Sequence, residues 1–144
     1  MLKRRIIFLA AMIPMAFLLY GAYAQTTASK KTITLPNGDV VCDLNGEWDV
    51  LSENYGPWSQ FGSARNVIKI TQTGSSFEGI RMHDSPWLPA GTRAILGELD
   101  KDGFKSVQMV SGAGPLNAKG NISEDGNSFV VDDGQKARAT FTRK

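Results

Sequence analysis

Gly46-Glu47-Trp48-Asp49-Val50-Leu51 opens the first main strand, and Lys136-Ala137-Arg138-Ala139-Thr140-Phe141-Thr142-Arg143 is the last. In the last segment Ala137, Ala139 and Phe141 share a face with Arg143, opposite Arg138, Thr140 and Thr142. A period of two is what a sheet with one dry face requires. The same alternation runs through Leu116, Ala118, Gly120 and Ile122, with Asn117, Lys119 and Asn121 on the other face. Further short runs lie near 66–72, 77–82, 93–99, 104–110 and 128–132, which makes eight strands in all. Phe77 and Ile80 fall on opposite faces of their run, which predicts a bulge near Gly79.

The segments between these runs carry turn chemistry. Thr73-Gly74-Ser75-Ser76, Asp100-Lys101-Asp102-Gly103, Ser123-Glu124-Asp125-Gly126-Asn127 and Asp133-Gly134-Gln135 supply the Gly, Asn and Asp that tolerate hairpin backbone angles. Two segments, 32–35 and 39–42, flank Pro36-Asn37-Gly38 and predict a small hairpin ahead of the barrel. No helix-period stretch follows residue 25, and the pattern is that of an all-β sandwich or barrel.

Strand parity selects the barrel. With eight consecutive antiparallel strands, the last runs antiparallel to the first, and pairing the two removes both sheet edges. The expectation is an eight-stranded up-and-down antiparallel barrel. Trp48, near the start of the first strand, and Arg143, at the end of the last, then lie at the same end. A guanidinium over the indole face would close that end, with a cation–π attraction of about 0.5–2 kcal/mol.

At these residues the chain resembles the calycin group, the lipocalin-like and avidin-like barrels, in which a G-x-W on the first strand packs against a basic residue on the last. Gly46, Trp48 and Arg143 carry the resemblance. Cys42-Asp43-Leu44-Asn45-Gly46-Glu47-Trp48 is similar to an avidin-type opening, and Phe77-Glu78-Gly79 to the second hairpin of such barrels. The resemblance implies a lipocalin-like architecture. A biotin site is not carried over, because the Asn, Ser, Tyr and Trp set of that family has no counterpart in order here. The lipocalin disulfides are also absent.

The chain is expected to be exported. Lys3, Arg4 and Arg5 precede an apolar stretch from Ile6 to Tyr20, and Ala22-Tyr23-Ala24 supplies a small-x-small cleavage pattern. Residues 1–24 read as a signal peptide, 25–31 as a flexible leader and 32–144 as one barrel domain, periplasmic or secreted. The apolar stretch is shorter than the about 20 residues of a membrane span, although an uncleaved anchor is the alternative. Cleavage removes three of the 16 basic residues and leaves 13 against 14 acidic ones, so no basic stripe remains for nucleic acid. Cys42, the single cysteine, follows Val40-Val41 and is expected to be buried and inert, with an intermolecular bridge as the alternative.

Parity also sorts the connections. Those at 52–65, 83–92, 111–115 and 133–135 fall at the end away from Trp48, and the two long ones are both among them. They carry Tyr55, Trp58, Phe61 and Trp87, four aromatic candidates for ligand contact at a barrel mouth. The leading expectation is noncovalent binding of a small apolar or amphipathic molecule there. The rings could instead fold back as a lid of core with no ligand. A second class of reading is a protein-interaction or envelope-structural module, engaging an envelope protein through the aromatic mouth or the strand at 32–35. Gln72, Arg81, Ser106 and Gln108 are candidates for inward-facing polar side chains.

Enzymatic chemistry is the least supported class. His83 is the only histidine, and its neighbour Asp84 points away from it on an extended chain. Asp100-x-Asp102-Gly103 lacks the later acidic ligand of a calcium loop. The acidic pairs lie in hairpin turns, and no cofactor or metal is expected.

Overall fold

The structure is a computed structural model that describes residues 29–144; the signal peptide expected at residues 1–24 and the first part of the leader expected at 25–31 lie outside the described residues. A small antiparallel pair, β1 (Thr32–Thr34) and β2 (Val40–Cys42), precedes the main sheet. Eight strands follow: β3 (Gly46–Asn54), β4 (Ser63–Thr73), β5 (Ser76–Arg81), β6 (Arg93–Asp100), β7 (Gly103–Ser111), β8 (Gly114–Ile122), β9 (Ser128–Asp132) and β10 (Ala137–Arg143). They form a closed antiparallel barrel in which each strand pairs with its neighbours in sequence and β10 returns to β3. The closing register runs from Ala137 opposite Asn54 to Arg143 opposite Trp48. Several strands extend beyond the sequence-based bounds, chiefly toward the mouth on β3 and β4, because ladder pairing carries them past the last alternating residue.

The turns at 73–76, 100–103 and 123–127 lie at the Trp48 end. The connections at 55–62, 82–92, 112–113 and 133–136 lie at the other end, so both long segments leave the same rim, as parity predicts. The ladder between β5 and β6 shifts register at Gly79/Ile80, but the extra residue is Ala94 on β6, so the 77–82 run itself keeps its alternation and Ile80 stays on the face opposite Phe77. A second shift at Glu98/Leu99 was not legible in the sequence. It sets one extra residue, Lys105, on β7 between the partners of Leu99 and Glu98, Phe104 and Ser106. Phe104 packs against the core, and Val107 and Met109 are buried, whereas Ser106 and Gln108 face outward, against expectation. Gln108 donates to Asn117 Oδ1 on the outer face.

Aromatic rings fill the lower half of the barrel. Phe129 stacks on Phe141 with centroids 4.3 Å apart, meets Trp48 edge-on at 4.8 Å and touches Phe104 at 5.4 Å. Phe77 extends the row to Phe104 at 5.7 Å. Room for this row comes from an inward glycine: a Cβ on Gly120 would stand 2.3 Å from the Phe104 ring.

The base is sealed by the segment leaving β2. Leu44 and Val41 are buried, and the Trp48 indole N–H donates to the Leu44 carbonyl at 2.9 Å. Gln72, on the inner face of β4, accepts from the Leu44 amide at 2.7 Å and donates to the carbonyls of Cys42 and Gly74. Arg143 lies over the Trp48 ring, its guanidinium carbon 4.3 Å from the centroid. It donates to the carbonyls of Asp43 at 2.6 Å and Asn45 at 2.9 Å, with a longer bond to Gly126 at 3.4 Å. Gly46, Trp48 and Arg143 thus sit together at the closed end. Cys42 is buried beside them, and burial pushes its thiol up.

Candidate functional site

The open end is built from the two long connections. Residues Gly56–Phe61 form a short 3-10 helix with Pro57 in its first turn, where the missing N–H costs nothing. This segment is held down at its start. The Tyr55 amide donates to the Lys136 carbonyl at 2.8 Å, and the Tyr55 hydroxyl donates to Asp132 Oδ1 at 2.5 Å. Gly56, at φ 54°, lets the chain approach so closely that a Cβ would stand 2.5 Å from the Gln135 carbonyl oxygen. Lys136 Nζ covers the Trp58 ring at 5.2 Å, which fixes one face of the indole.

The 82–92 segment is ordered by its own side chains. Ser85 Oγ donates to the Leu88 carbonyl at 3.0 Å and accepts from the Leu88 amide at 2.9 Å, while Asp84 accepts from the Ala90 amide at 2.8 Å. Asn66 Nδ2 donates to the His83 carbonyl at 2.9 Å and ties the segment to β4. The turn brings Trp87 against Gly112 of the β7–β8 connection, where a Cβ would meet it at 3.6 Å. His83 itself is exposed.

These two segments frame a mouth pocket of about 320 Å³, whose walls include Trp58, Phe61, Trp87, Leu88, Arg81 and Ser111. Beneath it lies a recess of about 90 Å³, floored by Val50, Ile68, Met109, Ala139 and Phe141. A pocket near 300 Å³ lies at the lower bound for small-ligand sites. The recess has room for only a few waters. The interior is therefore largely filled, and the usable volume is at the rim. Among the candidate aromatics, the structure brings Trp58, Phe61 and Trp87 together around this pocket. Trp58 and Phe61 meet edge-on at 6.3 Å. Phe61 stays 50 % exposed and Trp87 38 %, so these rings are not a lid of core. Tyr55 is not in the pocket wall; it turns to β9 and anchors the 3-10 segment.

The anchor has its own electrostatics. Its hydrogen bond to Asp132 pushes the Tyr55 hydroxyl up to about 12, and the same bond holds the Asp132 carboxyl below the usual range. Arg138 Nε completes the cluster with a bond to Asp132 Oδ2 at 2.8 Å. In the Asp133 carboxyl, burial works upward, but the backbone amides of Lys136, Ala137 and Gln135 outweigh it and hold the group low.

Arg81 stands opposite Ile68 in the β4–β5 ladder and so faces inward. It shares that face with Phe77 and Gly79, a period-2 signal present in the sequence. Asn54, Ser85, Ser111 and Gly112 in the pocket wall had no such signal; only the closing of the rim assembles them. No group of three or more His, Cys, Asp or Glu able to hold a metal occurs among the described residues. Comparison of the chain with protein-family models, with curated proteins and with solved structures returned no match.

Proposed function

We propose that this chain is an exported, lipocalin-like barrel of calycin type that binds a small apolar or amphipathic molecule noncovalently at its mouth. The observation that carries the reading is the pocket of about 320 Å³ walled by Trp58, Phe61 and Trp87, two of them substantially exposed and held by pre-ordered segments. Large aromatic surface left open on a rigid frame is what a binding site requires and what a folding core does not. The filled interior limits the ligand to one that sits in the rim. Titration with the neutral apolar probe N-phenyl-1-naphthylamine tests the reading, because Trp58 and Trp87 face the pocket while Trp48 is sealed at the base. Quenched or shifted tryptophan emission is expected, and Trp87→Ala should weaken it. Unchanged emission throughout the titration would defeat the reading.

A protein-interaction or envelope-structural role has separate support in β1. That strand pairs only with β2 in a two-stranded sheet, so its outer edge carries no strand among the described residues. An added strand from a partner could pair there. A stoichiometric partner recovered by the full barrel, and lost when proline replaces Thr34, whose amide points to the free edge rather than to β2, would favour this role.

A further inference from the structure

Two inward-facing side chains of the barrel strands carry charge, and both are arginines: Arg143 at the base and Arg81 at the mouth. Their surroundings differ. Arg143 is stacked on Trp48 and walled in by backbone carbonyls, so it belongs to the closed end. Arg81 borders both the mouth pocket and the recess beneath it. Its Nη1 donates to the Arg93 carbonyl and to Thr92 Oγ1, and its Nη2 to the Val110 carbonyl at 2.6 Å. Every one of these acceptors is neutral. They fix the guanidinium in place without balancing its charge, and no carboxylate pairs with it among the described residues. Three of its five donors are engaged, leaving Nε and one hydrogen on Nη2. Burial pulls Arg81 below its ordinary pKa with no acidic neighbour working against it. Glu53, the acidic residue bordering the recess, lies on the outward face of β3 in register with Arg138.

We infer that the ligand of the mouth is a compact ring-bearing anion whose acid group binds Arg81 while its ring lies among Trp58, Phe61 and Trp87. The inference rests on the mouth being a ligand site and adds the charge and size of what it takes. A positioned, partly desolvated guanidinium favours a carboxylate or phosphate strongly over a neutral isostere, through charge-assisted hydrogen bonds. Size follows from the floor: a recess of about 90 Å³ above the stacked rings leaves no channel for a long chain. The ring, not a tail, must supply the apolar contact.

Calorimetric titration of the protein at low ionic strength with 2-naphthoate, 2-naphthyl phosphate and the neutral 2-naphthamide separates the parts of this inference. At least one anion is expected to bind about tenfold or more tightly than the amide, and to weaken as salt is raised. Which anion prevails distinguishes carboxylate from phosphate. Arg81→Gln should remove most of the preference for the favoured anion over the amide, bringing the ratio of the two affinities to within about threefold of one. Arg81→Lys should keep part of the preference, since an ammonium holds the charge but not the fork. The comparison of probes on the wild-type chain needs no variant, so it decides the matter even if Arg81→Gln fails to fold. Equal affinities for anions and amide would overturn the anionic assignment and leave an apolar mouth standing. Binding of none of the three would overturn both.

Discussion

Replacing Arg143 by Met tests whether the barrel is closed as described, because Met keeps much of the side-chain volume and removes the charge and every donor. Two contributions are lost. The cation–π contact with Trp48, at 4.3 Å and partly shielded from water, is worth about 1 kcal/mol. The bonds to the Asp43 and Asn45 carbonyls, at 2.6 and 2.9 Å, are worth about 1 kcal/mol each at a site where water can replace the donor. The bond to Gly126 at 3.4 Å adds little. Against these stands the Arg143 Nε, which is buried without an acceptor and whose removal returns part of the loss. The net expectation is a destabilisation of about 2–3 kcal/mol. Urea unfolding followed by tryptophan emission measures it, with Arg138→Met as the reference. Arg138 forms an exposed pair with Asp132, and its loss should cost less than about 1 kcal/mol. Arg143→Lys should fall between, since it retains charge over the indole but not the two-carbonyl grip. If Arg143→Met lies within about 0.5 kcal/mol of wild type, a change of the size surface substitutions make, the guanidinium does not hold the base together.

Three further outcomes are expected. Gly120→Val should destabilise the chain by at least about 3 kcal/mol or prevent folding, because even a Cβ there overlaps the Phe104 ring; unfolding midpoints that match wild type would contradict the packing. Tyr55→Phe should speed amide exchange at Tyr55 and Gly56 and move the Asp132 titration up toward the ordinary carboxyl value, both readable by NMR. Acid should destabilise the rim: Asp132 and Asp133 have folded-state values below the unfolded one, so their contribution is complete above about pH 4 and is lost as pH falls through the lowered values. In Asp132→Asn the slope of stability against pH below 4 should flatten, and an unchanged slope would show that this carboxylate is not the linked group.

What the sequence by itself determined is the part of the structure that depends on counting and alternation. Eight runs of period two, separated by short polar turns, set the number and direction of the strands. Direction placed Trp48 beside Arg143 and sent the 52–65 and 83–92 segments to one rim. Ala118, Gly120 and Phe141 could be assigned to the inner face because alternation is local, carried by each strand alone. Tertiary structure decided whatever depends on two strands at once. The bulge at Glu98/Leu99 appears only when β6 meets β7, and it turned Ser106 and Gln108 outward while Val107 and Met109 went in. The filled interior arose from rings contributed by several strands, meeting over Gly120. Tyr55 was drawn out of the mouth because a carboxylate 77 positions later, Asp132, arrives within hydrogen-bond distance on β9. Arg81 was left facing the pocket with only neutral acceptors because the fold brought it Arg93, Thr92 and Val110 and no acid. Alternation needs only one strand's own geometry, whereas register, cavity volume and charge compensation are properties of neighbours that the chain brings together only when the ring closes.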